Sequence, residues 1–289
     1  MIIDCFPFFN ELDLLELRLN ELDGVVDRFV LVEAARTFQN QPKKYYFEEN
    51  KQRYAKFLHK IEHVKVDKFP KFNFKKFRKT RPWDFDNYQK DMVKLGLKNF
   101  NCSPDDAIII SDLDEIPKAE LVKKYSEVPG TKVFHLLLSY YYFNCIATKC
   151  PDGANLYTKD DIVYWKGPVM VDYKNFTSFR KIRCMQDLPD EKVIPVHNGG
   201  WHLSLMGKPS EILYKLQSWA HAKEKHYSIE HLKDLQNLKN LIESGEDLFG
   251  RDFKFKIYAF NDCFPSYAVN NPSIFDLMIF KGGTDSLPK

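Results

Sequence analysis

Ser111-Asp-Leu-Asp-Glu-Ile-Pro117 places two carboxylates, Asp112 and Asp114, two positions apart directly after the apolar run Ala107-Ile-Ile-Ile110. Side chains two apart on an extended segment share a side, so this pair can face one cation. Hard cations such as Mg2+ or Mn2+ take oxygen ligands and often share them with substrate phosphates. In open α/β sheets ligands bind beyond the carboxyl ends of strands, which is where the pair falls if residues 107–110 form a buried strand. The alternative is structural: Asp114 could cap a helix beginning near Pro117. A second D-x-D, Asp84-Phe-Asp86, stands at a helix start, where capping is the plain explanation.

The elements that must position the acidic pair follow from hydrophobic patterning. Ile2-Ile-Asp-Cys-Phe6 reads as a short buried strand ended by Pro7, and the leucines at 12, 14, 15, 17, 19 and 22 predict a helix over 11–22, capped by Asn10. Arg28-Phe-Val-Leu-Val-Glu33 is a second strand, 50–60 a helix, Val64-Lys-Val66 a third strand and 83–100 a further helix. This alternation argues for a parallel sheet flanked by helices. From 131 to 203 the pattern turns β-like (133–143, 162–173 and 193–196), and helices are expected at 209–226 and 229–243. No linker interrupts the chain. The expectation is therefore one α/β domain over residues 1–245, with a mostly parallel central sheet, a β-rich second half and C-terminal helices. Residues 246–289, which carry no nameable motif, are expected as an extension packed on it.

Apolar residues make up 44% of the 289 and charged residues 29%, ample for a core and unlike a disordered chain. A net charge of +3 is too balanced for a dedicated nucleic-acid binder. The absence of G-x-G-x-x-G and G-x-x-x-x-G-K-[ST] argues against the two commonest glycine-loop nucleotide sites. Met1-Ile-Ile-Asp-Cys5 lacks the basic start of a secretory signal, and the longest apolar-looking run, 134–143, is half of what a bilayer span needs. Six cysteines without C-x-x-C spacing read as reduced thiols. A cytoplasmic location is expected on these grounds.

Three stretches carry a family resemblance. Asp105 to Pro117 resembles the D-x-D block of glycosyltransferase family 17. Phe8 to Leu22, continuing through Val26–Glu33 to Thr37-Phe38, resembles the family's N-terminal block, and Gly199-Gly-Trp-His-Leu-Ser204 resembles its G-W-H block. Together they cover most of residues 2–225 in the family's order. The resemblance implies a GT-A-like fold and an inverting, metal-dependent transfer of a sugar, GlcNAc, from a UDP-sugar to a glycan or other hydroxyl acceptor. By it, Asp112 and Asp114 would hold Mn2+ or Mg2+ on the UDP diphosphate, joined by His202. Gly199 and Gly200 would admit a phosphate or sugar to the backbone, although a tight turn uses glycine equally. Glu33 would reach the donor's ribose, with capping of the following loop as its rival. Trp83, Tyr88, Gln89 and Lys90 resemble a family helix that often reads Gln-Arg; lysine at 90 keeps the charge and loses the bidentate fork. The general base that inversion needs is not singled out: Glu224, three residues after His221, and Asp187, with Asp190 nearby, are the candidates.

Lys68 to Arg81 holds seven basic residues, no acidic one, and Phe69, Phe72, Phe74 and Phe77 between them. It could be a solvated loop with its rings turned inward, a donor loop, or a peripheral membrane contact. A non-catalytic sugar- or nucleic-acid-binding module using this stretch is the alternative to an enzyme. An aspartyl phosphatase is disfavoured, because Glu-Ile rather than Gly-Thr follows Asp112-Leu-Asp114.

Overall fold

The computed structural model describes residues 1–73, 77–151, 155–222, 224, 236, 240, 241, 244 and 246–287. Its N-terminal half alternates as the patterning requires. Strand β1 (Ile2–Phe8) leads into helix α1 (Leu12–Leu22), then β2 (Arg28–Ala34), a short helix α2 (Tyr46–Glu49) with a 3-10 turn at Lys51–Phe57, and β3 (Ile61–Val66). A two-stranded hairpin, β4 (Phe72–Asn73) and β5 (Arg78–Lys79), precedes α3 (Pro82–Asp91), α4 (Val93–Lys98) and β6 (Ala107–Ile110). The helix expected over 83–100 is thus two helices meeting at Met92, and the one expected at 50–60 is largely the 3-10 turn.

The second half adds β7 (Glu115–Pro117), α5 (Ala119–Ser126), β8 (Lys132–Tyr140), β9 (Cys145–Lys149), β10 (Leu156–Lys159) and β11 (Ile162–Asp172). Helix α6 (Phe179–Arg183), β12 (Ile194–Ser204), α7 (Pro209–Ser218), β13 (Lys254–Ile257) and α8 (Ser266–Asn270) complete it. Helix α7 stops at Ser218, eight residues short of expectation; the helix expected at 229–243 lies almost wholly outside the described residues.

Eleven of these strands form one sheet, in the order β13-β9-β8-β11-β6-β1-β2-β3 with β7, β10 and β12 joined at its side. The sheet is mixed, which corrects the expectation of a mostly parallel one. β6, β1, β2 and β3 run parallel, because each crossover carries a helix. β8/β9 and β10/β11, joined by a few residues, pair antiparallel, as do β11/β6, β11/β8 and β13/β9. A short connection cannot return a strand to the same direction.

Two layers of core flank the sheet. On one side α1 packs through Leu14, Leu15 and Leu19 against Phe6, Phe29, Leu31 and Ile109. On the other, Val93 and Leu97 of α4 meet Val30, Val64 and Ile108. Gly96 permits that approach: a Cβ there would stand 2.5 Å from Val30 Cγ1. The C-terminal residues enter the first layer through Phe264, Ala268, Phe275 and Met278. Asn144 fastens them, its amide donating to the Tyr258 and Phe280 carbonyls and its oxygen accepting from the Phe280 amide.

Candidate active site

A cavity of about 410 Å3 opens at the carboxyl ends of β1 and β6, and both Asp112 and Asp114 line it. Their loop owes its shape to a residue that patterning alone does not flag. Arg18, on α1, is completely buried and makes a bidentate pair with Asp4 of β1 at 2.6 and 2.7 Å. The rest of the guanidinium donates to the carbonyls of Asp112, Leu113 and Glu115 at 3.0, 3.1 and 2.8 Å, and to Ser111 Oγ at 2.6 Å. One fork with five donors therefore ties the loop backbone to the first strand. Asp4, at first sight only an interruption in an apolar strand, is the counter-charge that makes this possible.

Glu115 braces the loop from the other side. It accepts from Trp165 Nε1 at 2.7 Å, from the Asp112 amide at 3.2 Å, and pairs with Arg183 of α6. The aspartates themselves meet cations: Lys90 Nζ lies 2.9 Å from Asp112 Oδ1, and Lys215 Nζ lies 3.0 Å from Asp114 Oδ2 and 2.8 Å from Glu11. Burial alone would raise both aspartates. Lys90 and Arg183 outweigh it at Asp112, as do Lys215 and His202 at Asp114, so both carboxyls sit below the usual range. The two lysines are raised in turn, their burial outweighed by the paired carboxylates. Both aspartates are therefore anionic at any neutral pH.

His202 Nε2 is 3.9 Å from Asp114 Oδ1, and its buried Nδ1 has no hydrogen-bond partner among the described residues. Among those residues, no three His, Cys, Asp or Glu side chains converge as a ready-made metal site. The donor set suits a hard cation that brings further oxygen ligands with it: two ionised carboxylates on one loop, with an imidazole beside one of them. Asp112 is the more accessible, its side chain 35% exposed.

Gln89 and Lys90 both line the cavity. Gln89 is nevertheless occupied by structure, its amide donating to the Val32 carbonyl at 3.0 Å and the Phe8 carbonyl at 3.4 Å. Glu33 lies away from the cavity lining. Fully buried, it accepts from the Phe47 amide and pairs with Lys43 at 3.1 Å and His63 at 3.2 Å, so it caps the start of α2.

Gly199 and Gly200 also lie away from the lining, inside β12. A Cβ on Gly200, whose φ is +149°, would stand 2.1 Å from the Ile116 carbonyl oxygen, and one on Gly199 2.7 Å from that of Val196. Their smallness serves strand packing rather than approach to this cavity. Asp187 ends a 3-10 turn (Cys184–Asp187) outside the lining, and Asp190 pairs with Lys166. Glu224 is not among the lining residues: it accepts from Trp83 Nε1 at 2.7 Å and contacts His221 Nδ1 at 2.8 Å, while Trp83 and His221 themselves do line the cavity.

Of the second D-x-D, Asp84 is the expected cap, accepting from the Arg81 amide at 2.8 Å and from Arg78 and Asn73. Asp86 faces the cavity instead, a role its sequence context concealed. The segment without a motif supplies a wall: Phe249 and Phe253 line the cavity with Arg251 stacked against both rings at 4.9 and 4.8 Å. Within the basic stretch Phe69 turns inward onto Phe85, while Phe77 is exposed; residues 74–76 lie outside the described residues. Among the described residues no helix is long and apolar enough to cross a membrane.

Comparison with known proteins bears on this geometry. The β-1,4-mannosyl-glycoprotein 4-β-N-acetylglucosaminyltransferase of Rattus norvegicus is 27% identical over 269 residues, covering 84% of this chain and 47% of that protein. The Homo sapiens enzyme of the same name is 26% identical over 260 residues, covering 84% and 48%. The chain thus spans about half the length of these curated relatives. Among solved structures, HddC from Yersinia pseudotuberculosis is 9% identical with a TM-score of 0.35, over 70% of this chain and 89% of that one. The inositol-1-phosphate CTP transferase from T. maritima is 15% identical with a TM-score of 0.34, over 75% and 95%. Both scores are too low to identify a shared fold. The family model of glycosyltransferase family 17, by contrast, matches residues 1–274, a span that takes in β1, the Asp112–Asp114 loop, β12 and the aromatic wall. The chain belongs to glycosyltransferase family 17.

Proposed function

We propose that this chain is an inverting glycosyltransferase that moves GlcNAc from UDP-GlcNAc to a hydroxyl of a mannose-bearing glycan, with Asp112, Asp114 and His202 holding Mn2+ or Mg2+. The reading is carried by one observation: two ionised aspartates, held by Arg18 and Glu115 at the end of β6, open on a cavity large enough for a small ligand. Family membership and the name of the relatives support the choice of reaction and sugar. The GT-A assignment belongs to the same proposal.

A divalent cation bound there would stabilise the negative charge gathering on the departing diphosphate. The protein's own groups do the rest. Lys90 and Lys215 set fixed positive charge beside the aspartates. Rigid donors aimed where charge develops need no reorganisation during reaction. The aromatic wall of Trp219, Phe249 and Phe253, with Trp219 stacked on Phe249, Phe253 on Phe255 and Arg251 against Phe249 and Phe253, gives the cavity a packed apolar side.

The test is thermal stabilisation by a panel of nucleotide sugars, each with and without Mn2+. At a hundredfold excess over Kd, linkage gives about 2.7 kcal/mol, or about 4 °C for a chain of this length. UDP-GlcNAc with Mn2+ is expected to give that shift in the unaltered chain, and Asp112→Asn with Asp114→Asn to abolish it. Stabilisation by no UDP-sugar, or a shift that survives the double substitution, overturns the proposal.

A further inference from the structure

Helix α3 presents one stripe to the cavity. Trp83, Asp86, Gln89 and Lys90 all line it, as their spacing of three and four residues requires. The stripe runs from solvent inward: Trp83 is 43% exposed, Asp86 is 6% exposed, and Lys90 reaches Asp112. Asp86 therefore stands between the cavity mouth and the acidic loop, where an acceptor entering past Trp83 would meet a donor seated on Asp112.

The other carboxylates lining the cavity are committed. Glu115 is held by Trp165, Arg183 and the Asp112 amide; Glu11 and Asp114 share Lys215; Asp112 holds Lys90 at 2.9 Å. Asp86 has one ion-pair partner among the described residues, the same Lys90, at the longer distance of 3.3 Å. The titratable groups facing it are Lys90 from its own helix, Asp112 from the β6–β7 loop and His221 from the segment after α7. The carboxylates that sequence suggested for the base, Glu224 and Asp187, are absent from the lining.

We propose that Asp86 is the general base of the transfer, an inference that rests on the function proposed above. Its carboxylate takes the proton from the acceptor hydroxyl as that oxygen bonds to the anomeric carbon. The bond from that carbon to the diphosphate oxygen breaks, and its electron pair leaves with UDP. Proton and charge are accounted for: the acceptor becomes a neutral glycoside and Asp86 is left protonated. Burial raises the Asp86 carboxyl, offset in part by Lys90 and reinforced by Asp112, which makes it a stronger base than an exposed aspartate.

The test is Asp86→Asn, with UDP release from UDP-GlcNAc measured against a mannose-terminated glycan and against water, since hydrolysis of the donor also needs a proton removed. Binding of UDP with Mn2+ is followed separately by calorimetry. The expected result is a fall in kcat of about 10²–10⁴-fold on both acceptors, with UDP affinity within about threefold of the unaltered chain. Should the asparagine variant not fold, Asp86→Glu keeps the charge and the Lys90 pair while displacing the carboxylate, and a loss in kcat of at least tenfold is expected. Turnover near that of the unaltered chain by whichever variant folds, or a loss of UDP binding that accounts for the whole effect, overturns this assignment and leaves the proposed function standing. No UDP binding and no UDP release by the unaltered chain overturns both.

Discussion

Replacing Arg18 by methionine tests the claim that a buried ion pair shapes the acidic loop. The substitution roughly preserves volume and hydrophobic packing but leaves Asp4, fully buried, without its bidentate partner, and leaves the carbonyls of Asp112, Leu113 and Glu115 without a shared donor. Removing one member of a buried pair costs about 3–5 kcal/mol, because the survivor stays desolvated. With about 0.6 kcal/mol/K of unfolding entropy for a chain of this length, Tm falls by about 5–8 °C. Urea unfolding measures the free energy directly. The double substitution Asp4→Leu with Arg18→Met removes the stranded charge and is expected to regain about 2 kcal/mol, though not all of the loss, since Ser111 and the three carbonyls still lack the guanidinium. UDP affinity is expected to stay impaired in both, because the loop that presents Asp112 is loosened in both. A loss below about 1 kcal/mol in Arg18→Met, or a double variant no more stable than the single one, would refute the reasoning.

Gly200→Ala is expected to cost about 3 kcal/mol, the upper end of the overpacking range, since its Cβ would collide with the Ile116 backbone at a positive φ, whereas Gly24→Ala, with open space around it, should stay within about 0.5 kcal/mol; equal effects in chemical denaturation would contradict the packing role. His135 is pushed down to about 4, chiefly by burial, with His197 and Lys166 adding and Asp190 opposing. A folded-state value below the unfolded one means stability is held above pH 6.5 and lost as pH falls toward 4, by about 1.4 kcal/mol per unit. His135→Gln should flatten that limb of the stability–pH profile, and an unchanged slope would show that other groups produce it.

Local order along the chain was legible because it is a local property. Strand β1, helix α1, strand β2 and the apolar strand before Asp112 follow from periodicity and end where expected within a few residues. The acidic pair and its place at a strand's carboxyl end followed as well, since both depend on spacing along one segment. What the chain order could not disclose were pairings between distant residues. Arg18 with Asp4 and the loop, Glu115 with Arg183, and Lys215 with Glu11 and Asp114 join positions as far apart as 11 and 215. Glu33 and Asp86 show the same limit from opposite sides. A carboxylate at the end of β2 could have met a ribose or capped the following segment, and it caps α2, while one that read as a helix cap faces the cavity. The direction of the later strands also depended on loop lengths and partners outside any one segment. Sequence by itself determined the elements and the acidic motif, because burial patterning and extended geometry act over a few residues. Only the tertiary structure decided which charges were neutralised and which carboxylate was left facing the cavity, because that depends on which side chains share a desolvated space.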